Sequence, residues 1–209
     1  MSEPNGFLIA FEGTEGAGKS TQLELASQAL QRAGHRVRVT LEPGGTPLGK
    51  EIRQLLLHRT DAVPTPLAEL FLYLADRTQH LAEVIRPHLE SGDVVLTDRF
   101  SGSTIAYQGY GRGLDLQTVT RLDAAARQGV TPHLTVLLDC PVRVGLQRAR
   151  GSDRFHAELE VFHERVREGF LTLARTGGWT IVDATDAKEA VHGEIMRAIL
   201  AGIEGRKKA

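Results

Sequence analysis

Short apolar runs, each ending at glycine or a charge, alternate along the chain with longer stretches whose apolar residues recur every three or four positions. "FLIAFE", Phe7 to Glu12, is the first such run and stops at Gly13. Lys19 to Ala33 follows with helical spacing through Leu23, Ala26 and Leu30 until Gly34 ends it, so the pattern predicts strand, loop, helix. Alternating "HRVRVTL", His35 to Leu41, predicts a second strand, and "EPGGTP" after it an irregular turn. Helical spacing then covers Leu48 to His58 and Pro66 to Leu89. Three further strands are expected at Asp93–Asp98, His133–Asp139 and Trp179–Ala184, with a helix at Leu116–Gln128 between the first two. Strands separated by helices imply an α/β fold: a parallel sheet flanked by helices, with binding loops beyond the carboxyl ends of its strands.

A chain of 209 residues suits one domain, 1–209, with at most a mobile insertion. The net charge of −1 provides no general attraction for nucleic acid or acidic membrane, so any polyanion site must be local. Only five of the 25 basic residues are lysine, a bias toward the forked recognition of phosphate or carboxylate that arginine provides. Cys140, the single cysteine, sits in the apolar run "LTVLLDC" and is expected as a buried free thiol. No apolar stretch reaches the ~20 residues that span a bilayer. "MSEPNG" lacks the features of a signal peptide, so a cytoplasmic protein without membrane contact is expected.

Candidate chemistry begins at "FEGTEGAGKSTQ". Gly13, four residues, then Gly18, Lys19 and Ser20 fit a phosphate-binding loop, and the segment lies between a predicted strand and a predicted helix, as that motif requires. Glycines allow the backbone close to an anion, successive N–H groups wrap it, and the helix N-terminus adds favourable partial charge. Gly13, Thr14, Glu15, Gly16, Ala17, Gly18, Lys19, Ser20 and Thr21 are therefore the residues expected to hold a nucleoside triphosphate, ATP if the chain is a kinase of the usual kind. Within that loop Lys19 would reach the β and γ phosphates, and Ser20 would hold Mg2+. The loop is shared by switches, motors and kinases, so it does not name the reaction.

"LTDRF" puts Asp98 at the carboxyl edge of the third strand, where it can serve the metal, and Arg99 just outside, where it can clamp phosphate. A solvated ion pair is the plainer alternative. "RARGSDR" clusters Arg148, Arg150 and Arg154 around a glycine, between a helix starting near Pro141 and another near Ala157. That is what a short helical lid over about 148–156 needs, and a solvated basic face is its competitor. Tyr73 and Arg77 of "YLADR" share one helix face, able to stack on and hydrogen-bond a flat base, or else to be a core tyrosine beside a surface arginine.

Together "FEGTEGAGKSTQ", "EPGGTPLGKEIR", "LADR", "TDRFSGSTIAYQGYGRG" and "LDCPVRVGLQRARGSDRF" resemble the bacterial thymidylate kinases, P-loop nucleoside monophosphate kinases. The resemblance implies a five-stranded parallel sheet, the reaction ATP + dTMP → ADP + dTDP with Mg2+ in dTTP biosynthesis, and a homodimer. It places Tyr73 against thymine and gives Arg77 the reading of the base. Arg99 would lie between donor and acceptor phosphates, with Ser103, Thr104, Tyr107 and Gln108 around the nucleotide and Glu15 near the acceptor 3′-hydroxyl. Gly16 stands where another branch of the family carries an arginine, which leaves the catalytic arginine to the lid at Arg148, Arg150 or Arg154. Leu41 stands where many relatives have arginine. A kinase for another monophosphate remains the nearest rival, and a GTP-dependent switch would need an "NKxD" segment that the chain lacks.

Overall fold

The computed structural model describes residues 6–58, 63–149, 155 and 158–207. Five strands, β1 (Phe7–Glu12), β2 (Val37–Leu41), β3 (Val94–Asp98), β4 (Leu134–Asp139) and β5 (Thr180–Asp183), form one sheet in the order β2-β3-β1-β4-β5. Every pairing is parallel, as the alternation of runs predicts. Strand ends differ from the predicted ones by one or two residues, the usual fraying of such boundaries.

β1 explains why its sequence reads as an unbroken apolar run: it is buried on both sides. Phe7, Ile9 and Phe11 pack with Leu23, Ala26 and Leu30 of α1 (Lys19–Arg32) and with Val191, Ile195, Ile199 and Ile203 of the last helix. Leu8 and Ala10 point the opposite way, onto Leu81, Ile85, Leu89 and Phe100. Because β1 is central and its neighbours β3 and β4 run parallel, the loops after all three open on one edge of the sheet.

"GGTPLG" starts α2 (Pro47–Leu57): Thr46 is its cap and accepts the Gly49 N–H at 2.9 Å, with Pro47 preorganised at the first helical position. Thr65 and Pro66 repeat the device at α3 (Pro66–His80). The helix predicted over Pro66–Leu89 is present but not regular. It widens into a π turn at Leu81–Ile85 before continuing as α4 (Arg86–Glu90), where Pro87 has no N–H to give and its ring would crowd an ordinary α-helical turn.

After β3, α5 (Ser101–Thr104) runs into a second π-helical segment, Ile105–Gly111, where the sequence predicts no element. α6 (Leu116–Arg127) and α7 (Val142–Arg148) follow, then α8 (Glu160–Gly177) and α9 (Lys188–Lys207). Of the expected lid, Arg150 and Arg154 lie outside the described residues. Among the described residues no helix is long and apolar enough to cross a membrane, and Cys140 is free and buried.

Candidate active site

The loop from Gly13 to Gly18 is shaped by its glycines: Gly16 and Gly18 have φ of 69° and 86°, in the left-handed region. A Cβ on Gly16 would stand 1.9 Å from the Gly145 carbonyl oxygen of α7, so the loop rests directly on that helix. Lys19 is buried, and its ammonium donates to the carbonyls of Gly13 (2.9 Å) and Thr14 (2.8 Å), folding the lysine over its own loop. Burial, with Arg99 alongside, pulls its pKa down to about 8 in spite of Asp98, Glu15 and Glu12.

Ser20 donates to Asp98 Oδ2 at 3.0 Å, bringing the two expected metal residues together from α1 and β3. Asp98 Oδ1 is buried with no hydrogen-bond partner. Among the described residues no three acidic, histidine or cysteine side chains gather into a metal cage. One carboxylate and one hydroxyl beside a phosphate loop suit Mg2+, which takes most of its ligands from phosphates and water.

Arg99 has φ of 72°, a conformation uncommon outside glycine, held in place from several sides. Its N–H donates to Phe11 O at 2.9 Å, Thr97 Oγ1 donates to its carbonyl at 2.9 Å, and the next N–H, of Phe100, donates to Glu12 Oε1 at 3.0 Å. The turn throws the guanidinium back over the loop, to Gly13 O (3.1 Å), Ser103 Oγ (3.2 Å) and Glu15 Oε1 (3.3 Å). It also lies 5.1 Å above the Tyr107 ring. Glu12, fully buried beneath, accepts the Ser103 hydroxyl at 2.6 Å, and burial pushes its carboxyl up to about 7 against Ser103 and Arg99. Glu15 takes the Tyr107 hydroxyl at 2.6 Å. Burial alone would raise Glu15, but His163, Arg99, Lys19 and Tyr107 outweigh it and hold the carboxyl well below the usual range.

Beside the loop lies a partly enclosed cleft. Glu15, Tyr73, Arg77, Arg99, Ser103, Thr104, Tyr107 and Gln108 all line it, together with Arg53, Leu57 and Phe155. The π segment aims Tyr107 and Gln108 inward, a use to which such segments are often put. Arg77 is no surface arginine. Almost fully buried, it donates to Glu42 Oε2 (2.9 Å), Thr104 Oγ1 (2.8 Å) and Asp123 Oδ1 (2.6 Å) and lies over the Phe100 ring.

"EPGG" and "LADR" are thus two halves of one joint. Arg77 and His80 grip Glu42, and Asp76 accepts the Gly44 N–H at 3.0 Å. Burial would raise Glu42 too, but Arg77 and His80 keep it lowered.

A second, more open groove runs over Gly16–Gln22 and includes Asp98 and Arg148, whose Nη1 donates to Ala184 O at 2.7 Å. Glu15, Arg53 and Arg99 line both cavities.

The phosphate-loop groove thus shares a wall with a second cleft, and a sequence model of one family, Thymidylate kinase, matches residues 11–195. The chain belongs to the thymidylate kinase family. It is 48% identical over 208 residues to the thymidylate kinase of Geobacter sulfurreducens, spanning 93% of this chain and 97% of that one. Against the thymidylate kinase of Trichlorobacter lovleyi the identity is 49% over 203 residues, 92% and 96% of the two chains. The crystal structure of thymidylate kinase from Ehrlichia chaffeensis superposes with a TM-score of 0.78 at 31% identity, over 94% of this chain and all of that one.

Two residues, one lining both cavities and one behind Glu15, were not legible in the sequence. Arg53, which donates to Pro43 O at 2.8 Å, ends the segment "EPGGTPLGKEIR" with no local pattern that marks it. His163, behind Glu15, sits in a helix whose other residues carry no chemical signal.

Proposed function

We infer that this chain transfers the γ-phosphoryl group of ATP to dTMP. The observation that carries the reading is the shared wall: Glu15, Arg53 and Arg99 belong to both cavities, so two phosphate chains would meet there. ATP fits the open groove, with its phosphates against the loop N–H groups and Lys19. The monophosphate fits the closed cleft, its base toward Tyr73 and Arg77, its sugar toward Glu15 and Tyr107, and its phosphate toward Arg99 and Arg53.

The acceptor phosphate is already a nucleophile, so no strong base is needed, and positioning with charge neutralisation suffices. A bond forms from an acceptor phosphate oxygen to the γ phosphorus as the bond to the bridging oxygen of ADP breaks. Lys19 and Arg99 stabilise the equatorial oxygens during that exchange. Ser20 and the unpaired oxygen of Asp98 would hold Mg2+. When bound, the ion neutralises phosphate charge. Arg148 borders the groove, and the catalytic role expected of Arg148, Arg150 and Arg154 belongs to the same proposal. Cytoplasmic residence belongs to the same reading, as does a homodimer, supported by the exposed apolar Leu67 and Phe71 one turn apart on α3.

The test is ADP release with ATP, Mg2+ and a panel of nucleoside monophosphates. Turnover with dTMP is expected to exceed that with AMP and CMP by at least about a hundredfold, since a site built around base hydrogen bonds rejects bases that leave them unpaired. Equal turnover of dTMP and AMP overturns the thymine assignment.

A further inference from the structure

Glu15 spends one oxygen and keeps the other. Oε1 receives Tyr107 and Arg99, while Oε2 is buried and has no hydrogen-bond partner among the described residues. His163 Nδ1 of α8 stands 3.5 Å from Oε2, within ion-pair reach and too far for a well-made hydrogen bond. His163 is 1% exposed, and neither of its ring nitrogens has a hydrogen-bond partner among the described residues. Buried polar groups are rarely left so, because the lost hydration is not replaced. Packing does not require an imidazole here: the ring meets Phe162 edge-on at 5.5 Å, and a phenyl ring would fill the same space without stranding two nitrogens. Facing unpaired atoms on a helix and on the phosphate loop are a contact left open beside the cleft.

We propose that His163 is a positioning residue for Glu15, closing onto Oε2 when the acceptor sugar enters and fixing the plane in which the carboxylate meets the sugar hydroxyl. Lys19, Arg99 and Tyr107 approach the same carboxylate from the start of α1, the turn after β3 and the π segment, so His163 completes its surround from α8. The inference rests on the reading of Glu15 as the group that faces the 3′-hydroxyl. It adds a residue that touches neither nucleotide yet sets how well the enzyme uses that hydroxyl.

The experiment compares dTMP with its 3′-deoxy analogue as acceptors, measuring kcat and KM for Glu15→Gln, His163→Phe and His163→Gln. Glu15→Gln is expected to impair dTMP by a clearly larger factor than the 3′-deoxy acceptor, and that difference tests the sugar reading by itself. His163→Phe is expected to lower kcat/KM for dTMP about tenfold, the scale of one hydrogen bond to a charged group. The same variant changes the 3′-deoxy acceptor less than about twofold and leaves the KM for ATP in place. His163→Gln, which keeps a donor, recovers most of the loss. If the phenylalanine variant does not fold, His163→Met, apolar and adaptable, carries the same comparison. Equal loss on both acceptors, or none on either, overturns the His163 assignment while Glu15→Gln still discriminates. A Glu15→Gln variant that fails to discriminate overturns the sugar reading and this inference with it.

Discussion

Arg99 is placed by its backbone before its side chain does anything. Its left-handed φ costs on the order of 1–3 kcal/mol, and the hydrogen bonds to Phe11, Thr97 and Glu12 offset that cost where a free loop could not. Glu12 is the part of this arrangement that titrates. Its carboxyl stands near 7 when folded and near 4.5 when not, so between those values the native chain keeps a proton that the unfolded chain has released. Stability from this group is therefore fully present below about pH 4.5 and falls as pH rises toward 7, by roughly 3 kcal/mol. Glu12→Gln removes the titration. Urea unfolding at pH 5 and pH 7.5 is expected to show a smaller fall in stability for the variant than for the parent, and identical falls would reject the account.

At the scale of elements, the phosphate loop depends on α7 as much as on β1 and α1. Gly16 and Gly18 both have left-handed φ, but only Gly16 has a backbone oxygen in the place of a Cβ, whereas Gly18 has nothing within 4 Å. Gly16→Ala is expected to lower the melting temperature by roughly 5 °C and to weaken ATP binding, with Gly18→Ala costing clearly less in calorimetry. Equal losses would mean that backbone conformation alone matters.

The strands and the first helix were legible because burial on both faces and a 3.6-residue period leave direct traces in the order of residues. The phosphate loop was legible because its glycines and lysine sit in one short stretch. The π segment at Ile105–Gly111 was not, since its wider period has no simple pattern and "AYQGYG" reads as a glycine-rich loop. Arg77 kept its neighbours hidden as well. Its burial depends on Glu42 and Asp123, which lie 35 and 46 positions away and meet it only in the folded chain. Arg53 and His163 belong to the same class, contacts that no local spacing encodes.

For the whole molecule, the exposed side of α3 carries Phe71 at 52% exposure and Leu67 at 47%, on a helix whose other face is locked onto Glu42. Covering that side with a second copy would bury both residues and brace the joint between Glu42 and Arg77 beside the cleft. Phe71→Arg is expected to turn a dimer into a monomer by light scattering and to reduce kcat/KM for dTMP severalfold. A parent chain that is monomeric at micromolar concentration would refute the dimer. The common wall of the two cavities has a consequence for energetics. On the proposed reading two anions would lean on the same guanidinium groups of Arg53 and Arg99, so their affinities would not be independent. Whatever factor a bound nucleoside triphosphate imposes on monophosphate affinity, the monophosphate must impose in return, equal in size and sign. The site would then behave as one thermodynamic unit with two entrances.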